Sequence, residues 1–469
     1  MNDTSLFQSN FPNRNKSRSM GVKLIVVCTL ALLMTIPALF VSGLVDDRTE
    51  RAGEVVREIS GHEGGQQTFL GPTIAVPYSI PPQTPTDHTR GGIYLVFPAQ
   101  ASAVVKTTTE ERRRSLFKVP VYQADLKFDA KFDLTGVPAA LPGAVLDWSR
   151  AEIVVGVSDA RGALADATLT ADGKTSTLVP AAIGPDIAIG GDQNNHVKVT
   201  LFGTNVGSMA KAGAQFSVTS ALKFSGAQRI AVLAYGKTTH LAVQGDWRSP
   251  GFDGGFLPTS RTIYNNGFAA EWQVPFIARG VRAEGQSDSI TGLDATALGV
   301  SFVEVADPYQ SVNRSLKYAL LFIGLIFISY FVFEVSTGKR VHPAQYVLVG
   351  VAQIIFYLLL LSLAERVGFD WGFLVAGGAT VTLLSANTGW IFASRVQGWK
   401  ASAIFASLYT LIYMLLRLED NALLVGAIAS FMAIAIAMYF TRGIDWYSSL
   451  PVSGGGPPPP PIPTSAATL

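Results

Sequence analysis

The sequence predicts an integral membrane protein, an α-helical bundle of six transmembrane helices with a large β-rich, sandwich-like domain between the first and second. Three observations predict it. Of the 469 residues, 48% are hydrophobic and 15% charged, and the mean hydropathy is +0.31, too apolar for an ordinary soluble chain. Six apolar runs, at 23–45, 316–333, 344–363, 371–392, 401–416 and 422–440, approach or reach the length that crosses a hydrocarbon core of about 30 Å. Between the first two runs, residues 46–314 contain no such run and are punctuated by Gly and Pro at strand-like intervals.

The hairpin 316–369 sets the orientation. Its polar break, 334–343, carries Lys339 and Arg340, and cytoplasmic loops retain positive charge, whereas the turn at 364–370 is mixed. The first run follows Arg14, Lys16 and Arg18 and precedes Asp46 and Asp47, so the N-terminus is expected in the cytoplasm and residue 46 onward outside. That run exceeds a signal-peptide core and lacks a small-x-small cleavage site, which makes it an uncleaved signal anchor; Pro37 is tolerable within a membrane helix. Arg395 and Lys400 fall on the cytoplasmic side and the turn 417–420 outside, placing the C-terminus in the cytoplasm. The run 401–416 is short, so it either borrows flanking residues or thins the bilayer. The polar segment 1–22 is expected to be a disordered tail, and 441–469, with its Gly-then-Pro stretch, a second cytoplasmic tail of flexible and then polyproline II character.

For the outer region the sequence predicts an amphipathic helix at 46–59 and then strands, among them 73–80, 92–97, 115–122, 126–134, 152–157, 196–202, 216–224, 229–235, 240–243, 261–264 and 268–274. The stretch 126–134 alternates apolar and polar residues over most of its length, as a strand with one wet face requires. Asp172-Gly173 and Asn265-Asn266-Gly267 are hairpin turns. Two sandwich halves split within 180–195, or one extended double-layered sheet, are both compatible with the pattern.

Composition excludes several chemistries. A formal net charge of +2 with scattered basic residues gives no reason to expect a nucleic-acid partner, and the single cysteine, Cys28, lies in an apolar run and makes no internal disulfide. The five histidines, His62, His88, His196, His240 and His342, form no metal-ligand pair, and no phosphate loop or dinucleotide fingerprint is present, so no cofactor is expected. Gly156-Val157-Ser158-Asp159-Ala160 is better explained as a strand-to-turn transition than as a nucleophile elbow. Polar residues in apolar runs are the stronger signal, because burying them in lipid is costly. Glu334, Glu365 and Arg417, at run ends, are expected as interfacial anchors, with a proton or substrate pathway as the alternative; Gln353 and Asn387 are expected to join helices by hydrogen bonds. Gly377, Gly378 and Gly389 would allow close helix approach.

The segments Gly71–Pro77, Val157–Gly162, Gly255–Pro258, Gly267–Trp272, Asp307–Gln310, Lys317–Leu320, Phe331–Glu334, Arg340–Tyr346, Phe356–Ser362 and Thr441–Tyr447 together closely resemble the CreD family of bacterial inner-membrane proteins, described as cell-envelope integrity proteins. The resemblance covers about residues 22–447. Where that family often has Gly, this chain has Ser158. The resemblance implies control by the CreBC two-component system in some bacteria and links to envelope stress, colicin tolerance and, in some species, β-lactam response. It implies no catalytic or ligand site. The expectation is therefore a non-enzymatic protein of the inner membrane whose partners are the lipid bilayer and an unknown envelope protein or cell-wall component, with Trp272, Tyr309 and Phe256 as contact residues on the exported domain. The alternative is a small-solute or ion transporter or channel through the C-terminal five-helix bundle.

Overall fold

The computed structural model describes residues 20–82, 90–114, 117–135, 137, 143–184, 186–189, 197–211, 213–302, 308–417 and 422–442. Most of both expected tails, together with His88, His196 and residues 418–420, lies outside the described residues. The chain divides into two compact units, Thr49–Ala306 and the segments before and after it.

The chain opens with α1 (Met20–Leu33) and α2 (Thr35–His62); α1 and α2 up to Arg48 belong to the second unit, and α2 from Thr49 onward to the first. The break at Met34 falls three residues before Pro37, whose missing N–H leaves the Leu33 carbonyl without its helical partner. The helix expected at 46–59 is the later part of α2.

The β unit comprises β1 (Gln67–Ile80), β2 (Arg90–Val96), β3 (Gln100–Arg114), β4 (Phe117–Asp133), β5 (Val145–Leu146), β6 (Glu152–Val157), β7 (Thr168–Ala171), β8 (Lys174–Thr177), β9 (Val179–Pro180) and β10 (Asp186–Ile189). It continues with β11 (Val197–Asn205), β12 (Gln215–Ala227), β13 (Arg229–Leu233), β14 (Thr238–Gly245), β15 (Pro250–Gly254), β16 (Ser260–Tyr264), β17 (Gly267–Val274), the short helix α3 (Phe276–Arg279), β18 (Glu284–Gln286) and β19 (Ala297–Phe302).

Among the described residues these strands form two sheets. One has the spine β10-β11-β6-β1-β13-β19-β15, and the other runs β16-β17-β14-β3-β4-β12-β7-β8. β1 is buried over its first ten residues and β6 throughout, the pattern of strands covered on both faces, whereas β3 and β4 alternate buried and exposed. Aromatic pairs bridge the sheets, Phe69 with Phe224 at 5.4 Å and Phe252 with Trp272 at 6.0 Å between ring centroids. One apolar core holds residues from before and after 180–195, so the region is one double-layered sandwich and not two halves.

The two strands expected at 115–122 and 126–134 are a single strand, β4, paired along its length with β12 and with the unexpected β3. Both expected hairpins form. Asp172 and Gly173 join β7 to β8 with φ of 49° and 75°, the double left-handed conformation that suits the twist of a tight hairpin; Asn265 and Asn266 join β16 to β17. β19, the last strand, lies between β13 and β15.

The helical unit continues with α4 (Pro308–Lys317), α5 (Ala319–Thr337), α6 (Pro343–Val367), α7 (Phe369–Ile391), α8 (Arg395–Arg417) and α9 (Ala422–Thr441). The β region expected to reach 314 therefore gives way to helix by Pro308. α5 passes beyond Glu334 to a left-handed cap at Gly338, and α6 starts at Pro343 with the His342 side chain accepting from Ala344 N–H at 3.2 Å. The short run 401–416 is resolved by flanking residues, because α8 begins at Arg395 and is 23 residues long. Gly389 on α7 and Gly398 on α8 bring these helices together; a Cβ on Gly389 would stand 3.7 Å from Gly398 Cα. Among the described residues, five helices are long and apolar enough to cross a membrane, and α9 carries a shorter apolar core, Leu424–Ile436.

Candidate functional site

Polar residues of α6 recur on one face. Tyr346, Gln353, Tyr357 and Glu365 are spaced by seven, four and eight residues, close to whole turns, and span about 28 Å along the axis. All turn inward. Tyr346, Gln353 and Tyr357 are at most 1% exposed, and the Glu365 side chain is 8% exposed.

A carboxylate stands at each end of this stripe. At one end Glu334 of α5, 1% exposed, is ion-paired with Lys23 of α1. It also accepts from Val341 N–H and from the Tyr346 hydroxyl, each at 3.2 Å, while Lys23 Nζ donates to the Val341 carbonyl at 2.7 Å. This arrangement holds the buried charge with a counter-ion and hydrogen bonds, as a low-dielectric site demands. At the other end Glu365 accepts from the Tyr309 hydroxyl of α4 at 3.1 Å and lies 3.8 Å from an Arg48 guanidinium nitrogen of α2.

Between the ends the polar groups are less satisfied. Thr388 donates to the Tyr330 hydroxyl at 3.0 Å, and Tyr330 donates to the Leu384 carbonyl. By contrast, both amide atoms of Gln353, the Tyr357 hydroxyl and the Ser385 hydroxyl are buried with no hydrogen-bond partner.

The structure corrects several expectations. Glu334, expected at a run end, lies inside α5, which continues past it and packs it against Lys23 and Tyr346. Gln353 does not join helices, since neither of its amide atoms is paired. Asn387, by contrast, is hydrogen-bonded from α7 to Tyr330 of α5; it is partly buried and also lines a groove of about 390 Å³ between α6 and α7. Arg417 pairs with Asp370 in an exposed position. Trp272 is a core residue and not a contact residue, 2% exposed, with its indole N–H donating to the Phe256 carbonyl at 3.0 Å; Phe256 itself packs on the core. Tyr309 belongs to the helical unit, 7% exposed on α4. Sequence reasoning missed Lys23, Arg48, Tyr346 and Tyr357, although the spacing along α6 carried the signal for the last two.

In the β unit Ser158 is committed to structure. Its hydroxyl accepts from Thr68 N–H at 2.9 Å and sits 3.1 Å from Gln67 Oε1, and the adjacent Asp159 is held below the usual carboxylate range by hydrogen bonds from Arg161. Among the described residues no group of three or more His, Cys, Asp or Glu could hold a metal ion. The apolar side chains this unit exposes include Ile263 and Tyr264 on the edge strand β16 and Leu257 just before it.

The family model described as "Inner membrane protein CreD" matches residues 19–447. The inner membrane protein CreD of Escherichia coli (strain K12) is 31% identical over 432 residues, which span 90% of this chain and 92% of that protein.

Proposed function

The chain belongs to the CreD family of inner membrane proteins, and from that premise we propose that it acts without catalysis in maintaining the cell envelope, its β unit exported and binding an envelope protein or cell-wall component. On this reading six helices cross the membrane and both termini lie in the cytoplasm. The observation that carries the binding role is the edge of the second sheet. All five residues of β16 are exposed, Ile263 and Tyr264 are more than half exposed, and an edge strand offers unpaired backbone groups together with apolar side chains.

Photoreactive residues at Ile263 and Tyr264 in living cells, with Trp272 as the buried control, test this. A reproducible envelope protein or cell-wall fragment captured from the edge and not from Trp272 is expected. A deletion strain with unchanged detergent, osmotic and β-lactam sensitivity would count against the envelope role. A second reading, passage of a small solute or ion through the five helices from α5 onward, draws support from the unpaired, fully buried amide of Gln353.

A further inference from the structure

The passage reading becomes specific when the unpaired atoms are taken together. Gln353, Tyr357 and Ser385 are each at least nine-tenths buried in the helical unit, and none of their side-chain polar atoms has a partner. The neighbouring Tyr409 hydroxyl is hydrogen-bonded to Thr380, which in turn donates to the Ala376 carbonyl at 2.8 Å. A polar atom left unpaired among lipid-embedded helices keeps its full desolvation cost, and water is the partner that removes it. An amide and two hydroxyls supply the mixture of donors and acceptors that a file of water molecules needs.

We propose that water fills this face of α6 and carries protons between Glu365 and Glu334. This rests on the passage reading and names its cargo. A hydronium ion gives its proton to the Glu365 carboxylate, which becomes neutral beside Arg48 and Tyr309. The acid passes the proton to the first water of the file and regains its charge. Each water then gains one O–H bond and breaks another, until the Glu334 carboxylate, faced by Lys23, Tyr346 and the Val341 N–H, takes up the proton and releases it to water beyond. The gradient sets the direction. The file offers neutral groups between its two terminal carboxylates, which suits a proton that moves by bond exchange better than a cation that must shed its hydration shell.

The test uses the full chain in liposomes with an entrapped pH-sensitive dye and a potassium diffusion potential set with valinomycin. Proton entry above that of protein-free liposomes is expected, falling about tenfold or more in Glu365→Gln and in Gln353→Leu, a substitution that leaves both ion pairs intact. Proton entry equal to that of protein-free liposomes, or unchanged in both variants, overturns the proposal. Radiolytic hydroxyl footprinting of the unmodified chain separates the two readings without relying on any variant. Oxidation of the buried Tyr357 is expected where water stands beside it. If it stays unmodified, both the file and the passage reading fail; if it is modified but no protons flow, the proton cargo alone fails.

Discussion

Lys23 and Glu334, 311 residues apart in the chain, form an ion pair whose carboxylate is almost wholly enclosed by helices α1, α5 and α6. Removing one partner leaves the other charge buried and alone. Lys23→Met or Glu334→Gln is therefore expected to cost about 3–5 kcal/mol, while the double Lys23→Met, Glu334→Leu variant recovers much of that loss. Thermal unfolding in detergent checks it, and equal losses in the single and double variants would refute the pairing.

Trp272 fills the space between the sheets against Phe252 and donates to the Phe256 carbonyl. Trp272→Ala is expected to destabilise the β unit by about 3–5 kcal/mol, whereas Trp272→Phe loses the hydrogen bond and some volume at about 1–2 kcal/mol. Denaturant midpoints of the two variants read the difference.

At the α7–α8 crossing a Cβ on Gly398 would lie 3.4 Å from the Ser385 carbonyl oxygen and 3.5 Å from Gly389 Cα. These are ordinary contacts, so Gly398→Ala is expected to be tolerated. Gly398→Leu adds bulk beyond that Cβ at the α7 backbone and should cost about 1–3 kcal/mol. A melting-temperature series over Gly, Ala and Leu distinguishes a threshold from a gradual decline.

Glu284 on β18 is half-buried, and burial pushes its carboxyl above the usual range. The folded chain then holds this proton to higher pH than the unfolded chain does. Its contribution to stability falls as pH rises from the unfolded carboxylate value, about 4.3, through the raised folded value. Glu284→Gln should accordingly raise stability at about pH 7 and change little near pH 4, as denaturant midpoints at both pH values would show.

Much of the helical unit was legible because a hydrophobic run of spanning length has few other uses in a folded chain. What misled was charge at the ends of the runs. Glu334 interrupts the apolar run, yet helix continues past it, because a lysine near the start of the sequence neutralises it, and no local pattern displays a partner at that distance. β3 escaped notice for a related reason: its outer half reads Thr107-Thr108-Thr109-Glu110-Glu111-Arg112-Arg113-Arg114, polar on both faces, and pairing with β4 fixes it as strand. Trp272 was misplaced because an aromatic residue in an alternating strand reads alike whether its face meets a partner or the opposite sheet. The stripe along α6 was readable from spacing, but its unpaired atoms emerge only from packing.

The place of β19 has a consequence for the order of synthesis. Ala297–Phe302, the last strand made, enters between β13 and β15, both of which precede it in the chain. Until it arrives, two open strand borders face each other with nothing between them, a template for misassembly with other nascent chains. Completion of the sheet thus waits on residues that stand only a few positions before the helical unit resumes, so a chain cut short upstream of Ala297 leaves an unfinished sheet instead of a stable smaller domain.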